Sequence, residues 1–108
     1  MRKQEQENIN NECLKAIEKF NTLNDKEYFN RQRLDYCSAY TYETENYIVL
    51  ISYHTLIAFI EKSTHTLYDV LRYVYGYTAT SAKHISKFRR FNKIGAWEYG
   101  RELTYRPI

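Results

Sequence analysis

Tyr47-Ile-Val-Leu-Ile-Ser-Tyr53, followed after His54-Thr55 by Leu56-Ile-Ala-Phe-Ile60, decides the fold class of this 108-residue chain. Both runs are dense in β-branched and aromatic residues, which fit a pleated, half-buried surface, so each reads as a strand. The link between them is short enough for a hairpin, which makes the strands antiparallel neighbours. Apolar residues occupy both alternations of the first run except at Ser52. Tyr47 and Tyr53 are therefore expected to fill a sheet covered on one face and partly exposed on the other.

Working outward, Tyr36-Cys-Ser-Ala-Tyr-Thr-Tyr42 has the same character and joins the first run through Glu43-Thr-Glu-Asn46. On the other side, Thr66 to Val74 alternates as a fourth strand, although Leu67, Val70, Leu71 and Val74 also sit at helical spacing. Its β-branched and tyrosine content favours strand. Lys26 to Arg33 reads either as a short helical turn or as a plain connection. Between Glu5 and Phe20, the residues Ile9, Cys13, Ala16, Ile17 and Phe20 fall on one helical stripe, and Asn21 to Asp25 stops the helix. Downstream, Gly76 allows a sharp turn and Thr78 or Thr80 caps a second helix over Ala79 to Phe91, with Asn92 and Gly95 as endings. Trp97, Tyr99, Leu103, Tyr105 and Ile108 make the tail too aromatic for a free end. It either adds an edge strand or packs across the sheet.

The expected architecture is α+β: one domain over 1–108, with an N-terminal helix in 1–25, an antiparallel sheet of four to five strands in 35–75, a basic helix in 78–92 and an aromatic tail in 93–108. Hydrophobic residues at 44% and aromatics at 17% exclude a disordered composition. No apolar run is long enough for a bilayer, so a soluble, unexported protein without a membrane partner is expected. Cys13 and Cys37 lack the spacing of a disulfide framework or zinc site and read as buried thiols, which favours a reducing cytoplasm.

The formal net charge of +3 divides into +5 over residues 81–108 and −2 over residues 1–80. That asymmetry suits an acidic partner at the C-terminal side. On the second helix, Lys83, Lys87 and Arg90 fall at i, i+4 and i+7, whereas Ala82, Ile85 and Phe88 face the core. Such a row either tracks phosphates, docks on acidic protein, or is the solvated face of an ordinary helix. Arg89 lies nearer the apolar side, where an internal pairing is open to it. His84, beside Lys83, reads either as an anion contact or as a half-exposed helix histidine. Nine of the twelve tyrosines lie between Tyr36 and Tyr77, and Tyr75 and Tyr77 precede the basic helix. These two are the candidate anchors, since tyrosine offers contact area at small entropic cost.

Nothing in the chain reads as catalytic or metal-binding. His54, His65 and His84 have no ligand-spaced companions, Glu43 and Glu45 flank a turn, Asp69 stands alone, and Gly76, Gly95 and Gly100 form no phosphate cradle. A non-enzymatic protein without cofactor is expected.

Ser52-Tyr-His-Thr-Leu-Ile-Ala-Phe-Ile60 together with Tyr75-Gly-Tyr-Thr-Ala-Thr-Ser-Ala-Lys-His-Ile-Ser-Lys-Phe88 resembles a small domain that recurs in phage and plasmid proteins of Gram-positive bacteria. There an antiparallel sheet accompanies a helix opened by a Tyr-Ser/Thr-Ala-Thr-Thr/Ser-x-x-His motif, and the likeness runs from Tyr36 to Phe91. Small mobile-element proteins of this size with an extra N-terminal helix look like anti-CRISPR proteins, inhibitors of Cas nucleases. The resemblance implies a phage interaction protein in the cytoplasm of a bacterial host, bound to a Cas9-type nuclease or its guide-RNA complex; apart from it, the chain is expected as a monomer, or as a homodimer joined through tyrosine-rich edges. It brings no catalytic residues, and the net basic charge departs from inhibitors that mimic DNA. Lys83, Lys87, Arg90, His84, Tyr75 and Tyr77 are the expected partner-binding residues. The alternative is a nucleic-acid-binding accessory or regulator with Lys83, Lys87 and Arg90 on the phosphates of RNA or DNA.

Overall fold

The hairpin at the centre of the sequence is also the centre of the sheet. In the computed structural model, which describes residues 2–23, 25, 27–34, 38–94 and 100–108, β3 (Tyr47–Ser52) pairs antiparallel with β4 (Thr55–Glu61). The two-residue turn between them holds Tyr53 and His54 at φ of 49° and 78°. Positive φ at both positions matches the twist of the flanking strands but is unusual for residues other than Gly and Asn. Before the hairpin come α1 (Lys3–Thr22), β1 (Phe29–Arg33) and β2 (Ala39–Glu43), and after it β5 (Thr66–Asp69), a single helical turn α2 (Leu71–Val74), α3 (Ala79–Phe91) and β6 (Arg101–Thr104).

The six strands lie side by side in chain order. From β1 to β5 every pairing is antiparallel, whereas β6 runs parallel to β5, with Leu67 opposite Glu102 and Tyr68 opposite Leu103. A parallel neighbour needs a crossover, and α2 and α3 supply it. The protein is thus α+β with a mixed six-stranded sheet, rather than an antiparallel sheet of four to five strands. The strand beyond that range is β1, in the segment left undecided around Arg33, while the tail takes one of its two expected roles and adds the edge strand β6. Residues 66–74 divide: Thr66–Asp69 is strand, and the chain turns helical at Leu71, where the Asp69 carboxylate accepts the Leu71 N–H at 3.2 Å.

The helices cover opposite faces, which explains the apolar residues on both alternations of β3. On one face Cys13 and Phe20 of α1 pack with Tyr47, Val49, Phe59, Tyr68 and Leu103. On the other, Ile85 and Phe88 of α3 pack with Leu50, Ile57, Ala58, Ile60 and Leu67. Tyr47 is accordingly buried beneath α1 instead of resting on an open face, while Tyr53 is exposed at the hairpin tip. Fully burying a side chain such as Phe59 or Phe88 is worth about 1.5–3 kcal/mol in transfer free energy, so each helix is held mainly by the sheet beneath it.

The stripe of α1 is longer than its apolar residues suggest. Gln6 and Asn10 continue it and are buried; Gln6 Nε2 donates to the Thr104 carbonyl at 3.0 Å and Asn10 Nδ2 to the Arg106 carbonyl at 2.7 Å. Cys13 is buried as expected, and burial first, then the Asp69 and Glu12 carboxylates, pushes its thiol up to about 12, which leaves it protonated and unreactive at neutral pH. Tyr36, Cys37, Gly95, Trp97 and Tyr99 lie outside the described residues. Among the described residues no helix is long and apolar enough to cross a membrane.

Candidate functional site

The basic helix is fixed at both ends. At its start Thr78 is extended and its hydroxyl accepts the Ser81 N–H at 3.1 Å, so Thr78 rather than Thr80 is the cap. At its end Lys93 adopts φ 58°, the Ile94 N–H donates to the Arg89 carbonyl at 3.0 Å and the Lys93 N–H to the Arg90 carbonyl at 3.1 Å. That pair of bonds is a Schellman termination, built here on lysine in place of glycine.

Between these caps the faces segregate. Ser81, His84, Ile85 and Phe88 are buried, and Lys83 and Arg90 are exposed with Lys87 half-buried beside them. Among the described residues no ion pair holds Lys83 or Arg90. Arg89 turns the other way, and its Nη2 donates to Glu102 Oε2 on β6 at 2.8 Å. The hydrogen bond to Glu102 raises the guanidinium above its usual range, and the internal pairing open to Arg89 is realised. Lys83 and Lys87, like charges one turn apart, disfavour the isolated helix by about 0.2–0.5 kcal/mol.

His84 requires correction as a surface contact. Its side chain is only 2% exposed, and Nδ1 lies 2.8 Å from the Ser52 hydroxyl, which is itself 3.3 Å from that of Ser81. The Tyr53 ring rests on the imidazole at a centroid distance of 5.9 Å. Burial first, and then Lys87, lowers the His84 pKa and favours the neutral ring. The Thr78, Ser81 and His84 of the helix motif and the Ser52 and Tyr53 of the hairpin run therefore meet: the quoted residues form a clip that fastens α3 to the β3–β4 turn. Ser52 and Ser81 are as buried as His84, with 0% and 1% exposure, so this hydroxyl–imidazole contact is shut off from solvent.

Tyr75 and Tyr77 are exposed at 54% and 57%, in the connection that leads into the cap. Tyr77 lies beneath the Arg72 guanidinium at 4.6 Å, a cation–π contact that restrains its ring. At the far end of the stripe a residue missed in the sequence enters: Phe91, 64% exposed, lines an open groove with Leu34, Lys87 and Arg90. Its signal was visible as an aromatic one position after Arg90, at the end of the expected helix. Among the described residues no group of three or more His, Cys, Asp or Glu is placed to hold a metal ion.

A model of a family of unknown function, DUF8033, matches residues 22–102. The chain belongs to that family. The span common to DUF8033 begins at the last residue of α1 and ends inside β6, so it holds the clip and the basic helix and leaves nearly all of α1 outside. No curated protein and no solved structure matches the chain.

Proposed function

We propose that this protein is a non-enzymatic interaction protein of mobile-element type that docks the outer face of α3 on an anionic surface of a nucleic-acid enzyme, in the manner of the Cas-nuclease inhibitors its sequence resembles. The single observation behind this reading is the groove of Leu34, Lys87, Arg90 and Phe91, in which an exposed aromatic ring stands with two cations over the buried Leu34. Apolar anchors set among arginine and lysine suit an acidic protein patch, where the ring supplies desolvated area and the cations supply orientation and encounter rate. Tyr75 and Tyr77, exposed in the connection before the helix, would offer further contact area.

The test is affinity capture and DNA cleavage with a Cas9-type nuclease loaded with guide RNA. The wild-type chain should bind and suppress cleavage, whereas K83A/K87A/R90A should lose at least about tenfold in binding while keeping its fold, the equivalent of about 1.4 kcal/mol. Absence of binding together with unchanged cleavage removes the proposal. The exposed Lys83 and Arg90 on one face of α3 also support a second reading, with the cations directly on phosphates. Binding to naked nucleic acid would then weaken steeply with salt, by about 0.9 in log–log slope per duplex phosphate contacted, and would need no protein partner.

A further inference from the structure

The face of the sheet covered by α1 is not covered everywhere. The helix packs most closely on β5 and β6, and toward the other end of the sheet the side chains of β1, Tyr40 of β2 and the β3–β4 turn stay exposed or half-exposed. There a cleft of about 420 Å³ opens, a size at which nucleotide-sized ligands are held. Three rings line it, those of Tyr40, Tyr42 and Tyr53, together with Arg31, Arg33 and His54. Arg31, Arg33, Tyr53 and His54 are exposed, and Tyr40 and Tyr42 are half-exposed.

The cleft is pre-built. The Arg31 guanidinium lies over the Tyr40 ring at 3.9 Å and its Nε donates to the Tyr42 hydroxyl at 3.1 Å. Tyr42 is in turn supported by Tyr28 at a centroid distance of 5.5 Å. A guanidinium already layered on an aromatic ring presents a flat cationic surface on which another π-system continues the stack, and Arg33 stands one strand repeat further along β1. Rings and arginines interleaved on an open sheet are the two elements that single-strand binders combine: flat faces for unpaired bases and cations for the phosphates between them.

We infer that this cleft binds a single-stranded nucleic acid segment, with a base stacked on the Arg31–Tyr40 layer and phosphates on Arg31 and Arg33. A duplex fits this geometry poorly, because its bases are already stacked and turned away from a sheet surface. The site is separate from the α3 groove, which lies on the opposite face of the sheet, and it does not depend on the reading of that groove.

Fluorescence anisotropy with the full chain and labelled pyrimidine oligonucleotides of about ten residues, as RNA, as DNA and as the matching duplex, tests it. Single strands should bind more tightly than the duplex at equal salt, and the tighter of the RNA and DNA arms names the source. R31A/R33A should reduce the salt slope by about 1.4, from about 0.7 per single-strand phosphate. Tyr40→Leu should weaken binding about tenfold or more, whereas Tyr40→Phe, which keeps the ring, should retain it. K83A/K87A/R90A should bind single strands as the wild type does. Equal or tighter duplex binding, loss of binding in the α3 variant with retention in R31A/R33A, tighter binding of a poly-glutamate peptide than of either oligonucleotide, or no binding in any arm would each overturn the inference.

Discussion

On the α1 side of the sheet the contact is made by rings: Phe20, Tyr47, Phe59 and Tyr68 touch in sequence with centroids 4.9 to 5.7 Å apart. On the α3 side a single ring, Phe88, sits among mainly aliphatic chains beside one buried polar clip, Ser52, Ser81 and His84. The first arrangement stabilises through area and tolerates small shifts of the helix. In the second, buried hydroxyls and an imidazole are satisfied only in one register, because an unpartnered polar group inside costs more than its bond contributes. The exposed cations thus stand on the helix whose position is more narrowly determined, as a docking surface requires.

The comparison can be broken most forcefully at the rings. Phe59→Ala removes the residue that touches Phe20, Tyr47 and Tyr68 and should destabilise the fold by about 3–5 kcal/mol in urea unfolding. A loss under about 1 kcal/mol would mean that the ring face collapses around the gap and contributes little order.

The clip comes next. Ser52→Ala leaves the buried His84 nitrogen without its hydroxyl and should cost about 1–3 kcal/mol, with a double-mutant cycle against His84→Ala showing coupling. The same pair carries a pH signature. The folded-state His84 pKa lies below its unfolded value, so its contribution to stability is complete above about pH 6.5 and is lost as pH falls toward the lower folded value. Thermal melting between about pH 7 and pH 5 should show a falling Tm that flattens in His84→Ala. A flat wild-type profile would indicate that the imidazole is not held neutral.

The smallest effect on stability is expected at the surface. Lys83→Ala, Lys87→Ala and Arg90→Ala should each change stability by no more than about 0.5 kcal/mol. Unfolding of the triple variant would show that the stripe supports the fold rather than a partner.

Much of this was legible in the residues. The β3–β4 hairpin announced itself through its density of β-branched and aromatic residues, and both long helices because their apolar residues follow the helical period. β1 did not, since Phe29-Asn-Arg-Gln-Arg33 is exposed at every position and is held by pairing with β2 instead of by burial. For β6 the sequence left edge strand and cross-packing open, because a parallel edge strand is created by the crossover and not by its own four residues. Segment 66–74 carries both periodicities because it contains both structures in turn. At the candidate site, Ser81, His84, Ile85 and Phe88 form one regular stripe at i, i+3, i+4 and i+7, and only polarity concealed its first two members. Gln6 and Asn10 were concealed in the same way on α1. In both helices the hidden residues are those that bond to a distant part of the chain, information that local spacing does not contain.

The bonds from Gln6 to Thr104 and from Asn10 to Arg106 span 98 and 96 positions, whereas β1 to β5 form by neighbour-to-neighbour zippering. Closing so long a loop has to wait until its entropy cost is met by a surface already in place. The ring-lined face should therefore be assembled last and opened first, and amide hydrogens of α1 and β6 should exchange with deuterium ahead of those in β3 and β4.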